Sequence, residues 1–147
     1  MQKILSYLGS KEHYRADACI VWCFDNRFSG LLEAYIKDRK FTHVDLVKVA
    51  GGAKGLAAPK WDPDPSRRKL AEAERTYLLD QIAKSIKLHH TQDIVLMAHS
   101  ECGAYGGATD EEFYESELNK AKDIASSQFK EVKVTSLFAD FEGLHSI

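Results

Sequence analysis

Two short motifs at the ends of apolar runs constrain the fold of this chain more than any other feature. The first is Cys23-Phe24-Asp25-Asn26-Arg27, and the second, far along the chain, is His99-Ser100-Glu101-Cys102-Gly103. Zinc binds thiolate sulfur and imidazole nitrogen tetrahedrally, and a catalytic zinc commonly takes three protein ligands. Because Cys23, His99 and Cys102 supply three such donors, we expect a fold in which the ends of two adjacent parallel strands meet.

Apolar runs that alternate with amphipathic segments predict the fold class. The run Ala18–Cys23 is continuous and contains β-branched residues, which is typical of a strand buried on both faces of a parallel sheet. The same reasoning predicts strands over residues 41–49, 93–98 and 132–138, and helices over 29–39, 65–88 and from 109 onward. We find no repeat and no second domain. The prediction is therefore a single α/β domain over residues 1–147, with a mainly parallel β-sheet flanked by helices.

Three local predictions concern the helices and the segment between two of them. Asp64 is expected to cap the helix that begins at Pro65, and Thr109 and Glu112 have the spacing of a capping box. Residues 53–66 contain three prolines and Trp61, which predicts a long loop of the kind that covers an active site. The helix after this loop is expected to carry one apolar stripe, made of Leu70, Tyr77, Leu78, Ile82 and Ile86.

Composition limits the classes of partner. The net charge of −2 lacks the basic excess of a nucleic-acid-binding protein. No stretch approaches the roughly 20 apolar residues that span a bilayer, and the start of the chain lacks the apolar core and cleavage site of a signal peptide. Three cysteines form an odd and sparse set, which fits a reducing compartment. We expect a cytoplasmic protein with no nucleic-acid partner and no membrane segment.

The two motifs, in this order and each after a buried strand, resemble the Cys-x-Asp-x-Arg and His-x-x-Cys-Gly motifs of the β-class carbonic anhydrases. Lys48-Val49-Ala50-Gly51-Gly52 is similar to the Arg-Asn-Ala-Gly segment of that family, although Lys48-Val49 replaces the usual Arg-Asn. The segment Phe138-Ala139-Asp140-Phe141-Glu142-Gly143 resembles the end of a later family strand and its turn. The resemblance spans about residues 18–143 and is to a small member with a shortened N-terminal arm.

The resemblance implies one Zn²⁺ ion per chain, with Cys23, His99 and Cys102 as its ligands. It implies the reversible hydration of CO₂ to bicarbonate and a proton by zinc-bound hydroxide, the carbonate dehydratase (lyase) reaction. It also pairs Asp25 with Arg27 as catalytic residues. Asp25 either orients the hydroxide or moves onto the zinc as a fourth ligand, and a bidentate Arg27 would hold it off the metal.

Further residues near the two motifs are candidates for substrate contact, and the resemblance extends to assembly. Gly51 and Gly52 either end a strand or bring a backbone amide close enough to bind bicarbonate. Ser100 and Glu101 lie between two expected ligands, where they either orient the site or are exposed to solvent. The family further implies a homodimer or a higher homo-oligomer, with CO₂ and bicarbonate as the small-molecule partners.

Two other functions stay open at the level of sequence. The same hydroxide attack applies to COS or CS₂, so a hydrolase of these substrates is one alternative. The other is a non-catalytic zinc-binding scaffold or sensor, in which Asp25 closes the metal site permanently. Cys19, which lies on the same strand as Cys23, is interpreted as a small buried hydrophobic residue rather than as a ligand.

Overall fold

Five strands form one sheet in the computed structural model, which describes residues 2–58 and 63–147. The strands are β1 (Ala18–Cys23), β2 (Val44–Val49), β3 (Asp93–His99), β4 (Lys133–Ala139) and β5 (Leu144–Ser146). Their order across the sheet is β2-β1-β3-β4-β5, and the pairings are parallel except for that of β4 with β5. The predicted α/β fold with a mainly parallel sheet is confirmed.

Helices cover both faces of this sheet. They are α1 (Ser29–Asp38), α2 (Lys54–Ala57), α3 (Pro65–His89) and α4 (Glu111–Gln128). Since side chains alternate along each strand, the two faces pack against different helices. On one face, Leu32 of α1 packs with Ile20 and Trp22. On the other face, the buried helical residues are Leu56, Leu78, Ile82, Tyr114 and Leu118.

The strand order places the expected metal ligands at one edge. β1 lies between β2 and β3 and is parallel to both, so the carboxyl ends of all three strands meet at the same edge. After β1 the chain continues to β2, which pairs with one side of β1, whereas β3 pairs with the other side of β1. In open α/β sheets, ligands bind in the crevice at such a switch point.

The apolar stripe predicted for α3 is only partly buried in the structure. Leu78 and Ile82 are buried, whereas Leu70 is 61% exposed and Tyr77 is 52% exposed. The stripe is therefore buried at Leu78 and Ile82, whereas Tyr77 faces outward although it adjoins Leu78. Asp64 caps α3 as predicted, because its carboxylate accepts a hydrogen bond from the backbone amide of Ser66 at 2.8 Å.

Other features also differ from the prediction, and β2 begins at Val44 rather than at residue 41. The cap of α4 is Asp110, whose carboxylate accepts a hydrogen bond from the amide of Phe113 at 2.9 Å, and Thr109 stands one residue too early. The predicted loop 53–66 contains the short helix α2, and its Trp61 lies outside the described residues. β5 was not predicted.

Among the described residues, no helix has the length and apolar character needed to cross a membrane.

Candidate metal centre

The ends of β1 and β3 bring together the three residues predicted as metal ligands. Cys23 is the last residue of β1, His99 is the last residue of β3, and Cys102 follows in the next turn. Their two sulfur atoms and the imidazole nitrogen all lie within 4.8 Å of one another, so one metal ion could be held by all three. No other group of this kind occurs among the described residues. All three side chains are buried.

His99 is oriented for metal binding by its own neighbour. Its Nδ1 atom donates a hydrogen bond to the carbonyl oxygen of Ser100 at 2.8 Å, because a carbonyl can only accept. The proton is thereby assigned to Nδ1, and Nε2 is left with a free lone pair. Nε2 is buried and has no hydrogen-bond partner. A buried nitrogen without a partner is costly unless a ligand satisfies it, so this atom fits a metal ion.

The two thiols differ in their electrostatic environment. A hydrogen bond from the thiol of Cys102 lowers the pKa of Cys23 well below its ordinary value, against the opposing effect of burial. The backbone amides of Asp25 and Gly51 contribute to the same lowering. The pKa of Cys102 is raised, first because it donates to Cys23 and then because it is buried. The centre thus favours a thiolate, the form of cysteine that binds metal.

Gly52 allows the turn after β2 to pack against this centre. It has a φ of +57°, and a Cβ atom there would lie 2.2 Å from the carbonyl oxygen of Met97 and 3.2 Å from the amide nitrogen of Cys23. Only glycine fits so close an approach. Its amide donates to the carbonyl of Val49 at 3.2 Å. Gly51, the other predicted substrate residue, contributes to the lowered pKa of Cys23 through its backbone.

Asp25 and Arg27 form the pair predicted from the first motif. The guanidinium contacts both carboxylate oxygens, with Nη2 to Oδ2 at 2.8 Å and Nε to Oδ1 at 3.2 Å. These bonds from Arg27 lower the pKa of Asp25 to about 2. Oδ2 of Asp25 lies 3.9 Å from Nε2 of His99, so the ionised carboxylate stands beside the donor set. Its side chain is 24% exposed, whereas the three donors are buried.

Arg27 has additional contacts that connect it with the second motif. Its Nη1 lies 3.2 Å from Oε2 of Glu101, and its Nη2 donates to the Glu101 carbonyl at 3.4 Å. The guanidinium carbon lies 5.3 Å from the ring centroid of Phe141. The ring of Phe28 packs against that of His99 at an interplanar angle of 32°, with the ring centroids 4.4 Å apart. The sequence interpretation gave neither phenylalanine a role, although Phe28 directly follows the first motif and Phe141 lies in the segment 138–143 that resembles the family.

Cys19 lies apart from the centre, four residues before Cys23 on β1 and in a different apolar cluster. It is fully buried, and burial raises its pKa to about 11. This agrees with its interpretation as a small hydrophobic residue. The pair His89-His90 ends α3, and His89 contacts the carboxylate of Asp45 at 2.8 Å near the start of β2. That position is at the opposite edge of the sheet from Cys23.

Comparison with known proteins identifies relatives over most of the chain. A family model described as "Putative carbonic anhydrase" matches residues 15–145. These residues include both motifs and all three candidate ligands. No curated protein sequence matches the chain.

Solved structures share the fold at low sequence identity. A β-carbonic anhydrase isoform from Trichomonas vaginalis is 12% identical, with a TM-score of 0.60 over 97% of this chain and 87% of that chain. The apo form of a carbon disulfide hydrolase is 12% identical, with a TM-score of 0.54 over 90% and 79%. A tetrameric β-carbonic anhydrase from Sordaria macrospora is 14% identical, with a TM-score of 0.51 over 91% and 81%.

Proposed function

The chain belongs to the carbonic anhydrase family whose model matches residues 15–145, and from this membership we propose that it catalyses the reversible hydration of CO₂ to bicarbonate and a proton. The observation that carries the proposal is the cluster of Cys23, His99 and Cys102, whose ligand atoms lie close together. Within it, Nε2 of His99 is buried and has no hydrogen-bond partner. Two sulfurs and one imidazole nitrogen are the ligand types of a catalytic zinc with an open fourth position.

We assign one Zn²⁺ ion per chain to these three residues. A zinc ion held there would lower the pKa of a bound water and so supply hydroxide for the attack on CO₂. The lowered pKa of Cys23 and the Nδ1 proton on His99 both prepare the protein atoms for this role. The burial of the donors excludes competing water from the ligand bonds.

Asp25 and Arg27 are the residues to which we assign the orientation of the reacting groups. Asp25 is ionised at neutral pH, so its carboxylate acts as a hydrogen-bond acceptor at the edge of the donor set. Arg27 holds that carboxylate by a bidentate contact and fixes its direction. In this arrangement the carboxylate orients groups at the open position instead of occupying it.

Gly51 and Gly52 have a structural part in this proposal. Gly52 permits the close approach to Met97 and Cys23, and the Gly51 amide supports the thiolate of Cys23. The expected role of these two glycines in binding bicarbonate stays a prediction.

We also propose that the protein is a cytoplasmic homo-oligomer, an assignment supported by its free cysteines and by the tetrameric relative from Sordaria macrospora.

Stopped-flow hydration of CO₂ by protein of measured zinc content tests the proposed function. We expect a rate well above buffer that rises from about pH 7 to about pH 9, because two thiolates make a zinc-bound water less acidic than three imidazoles do. Metal-free protein and Cys102→Ser are the controls, and both should fall to the buffer rate. A buffer rate at full zinc occupancy would contradict the proposal.

The same protein should be offered CS₂ and COS with sulfide release measured in the headspace. The structural likeness to a carbon disulfide hydrolase motivates this second assay. Sulfide release without CO₂ hydration would assign the centre to sulfur substrates. Inactivity in both assays at full zinc occupancy would favour the scaffold or sensor with a closed site.

A further inference from the structure

Glu101 connects the two halves of the candidate centre. It lies in the turn between His99 and Cys102, and its carboxylate contacts Arg27, which follows β1. The turn itself is fixed by the backbone, since the Glu101 amide donates to the carbonyl of Ala108 at 2.8 Å. The carboxylate is therefore presented to Arg27 from a defined position.

The backbone at Glu101 is unfavourable for a glutamate. Its φ is +57°, in the left-handed region where a Cβ atom meets the neighbouring carbonyl and which glycine or asparagine tolerates better. A strained backbone at a site is grounds for asking what the side chain does there. Here the side chain makes one contact that glycine would lose entirely, the 3.2 Å pairing with Nη1 of Arg27.

The contacts of Arg27 are divided between the two partners. Nε and Nη2 contact Asp25, whereas Nη1 contacts the Glu101 carboxylate. Because the guanidinium is planar and rigid, fixing Nη1 also fixes the direction in which Nε and Nη2 point. Glu101 thus acts on the orientation of Asp25 through Arg27, although it is not itself a candidate ligand.

We propose that Glu101 is a positioning residue that keeps Asp25 off the metal by holding Arg27 in its bidentate orientation. This inference rests on the proposed function, because it assumes an open fourth ligand position. Oδ2 of Asp25 already lies 3.9 Å from Nε2 of His99, so the direction of the carboxylate decides which arrangement forms. Loss of the Glu101 carboxylate shifts the population toward the arrangement in which Asp25 closes the site.

The test uses the cobalt(II)-substituted protein, whose visible absorption reports on the metal ligands without any turnover. Azide is added as a probe anion, and the absorption change is followed in wild type, Glu101→Ala, Glu101→Gln and Glu101→Asn. Asparagine suits the left-handed backbone, so Glu101→Asn should fold even if another variant does not. Glu117→Ala, which removes a glutamate paired with Lys120 on α4, is the matched control.

We expect the apparent azide affinity to fall about two- to fivefold in Glu101→Ala and Glu101→Asn, the size of effect that one half-exposed ion pair supports. The decrease in Glu101→Gln should be smaller, because its amide oxygen still accepts a hydrogen bond from Arg27. The control should bind azide as wild type does. In CO₂ hydration, kcat should fall in the same order.

The two possible failures are distinguishable. If wild type responds to azide and all Glu101 variants respond equally at full cobalt occupancy, the positioning role is wrong and the proposed function is untouched. If fully loaded wild type does not respond to azide at all, the site is closed with Glu101 in place. That result would overturn both the positioning role and the open site of the proposed function.

Discussion

Nη2 of Arg27 lies 2.8 Å from Oδ2 of Asp25, and the same guanidinium reaches Glu101 in the turn that carries Cys102. One arginine therefore joins the segment after β1 to the segment after β3. The first segment directly follows Cys23, and the second directly follows His99 and contains Cys102. The carboxylate of Asp25 is the group whose direction depends on this link, since its partly exposed side chain stands beside three buried donors.

Arg27→Lys is expected to lower the rate of CO₂ hydration about 10- to 100-fold, as is typical when the partner of a metal-site group is replaced. Lysine keeps the charge but cannot make a bidentate contact with Asp25. Zinc content should be unchanged, because Arg27 is not a donor. Arg39→Lys is the control, since Arg39 lies over the ring of Phe41, away from the centre. Stopped-flow kinetics at measured zinc content test this prediction. A rate of CO₂ hydration for Arg27→Lys equal to that of wild type would contradict it.

Cys102→Ser is expected to weaken zinc binding by more than about 100-fold, because a lost ligand costs more than a lost neighbour of a ligand. Cys19→Ala is the matched control, as Cys19 is equally buried but belongs to a different apolar cluster and is not a candidate ligand. Zinc content after dialysis against a chelator of known affinity measures the difference. Equal zinc retention by the two variants would remove Cys102 from the ligand set.

The meeting of Cys23 and His99 could be predicted from the sequence for a physical reason. Each follows a continuous apolar run, such a run predicts a strand buried on both faces, and the carboxyl ends of neighbouring parallel strands share an edge. The bounds of β1 agree with the prediction residue for residue. What the pattern predicts well is therefore the part of the site built directly on strand ends.

Other features depend on contacts that no local pattern encodes. Leu70 has helical spacing relative to Leu78, but periodicity does not say which part of a long helix packs on the sheet. β5 is only three residues long and forms through pairing with β4 after a turn held by Asp140. The contacts of Arg27 with Phe141 and Glu101 arise in the same way, from segments that meet only in the folded chain.

Gly52→Ala is expected to destabilise the fold by about 1–3 kcal/mol or more, because overpacking and a positive φ add together. The added Cβ would lie 2.2 Å from the carbonyl oxygen of Met97. Gly30→Ala is the control, since Gly30 lies in α1, a Cβ added there would meet nothing within 4 Å, and alanine favours a helix. Chemical denaturation should show a loss for Gly52→Ala and no loss for Gly30→Ala. A Gly52→Ala variant as stable as wild type would contradict the close approach.

Asp45→Asn is expected to lower the free energy of unfolding at pH 7 by about 1–3 kcal/mol, the cost of disrupting partly buried hydrogen bonds to a carboxylate. Burial alone would raise the pKa of Asp45, but hydrogen bonds from Ser85, His89 and Tyr14 outweigh it, and the pKa is lowered. A lowered folded-state pKa stabilises the fold above the unfolded-state value, and this contribution is lost as the pH falls through the folded-state value. The difference between wild type and Asp45→Asn should therefore shrink as the solution is acidified below about pH 4. Thermal unfolding across this pH range measures the difference, and Asp123→Asn, which changes an exposed residue, is the control. A difference in stability that does not depend on pH would contradict the lowered pKa of Asp45.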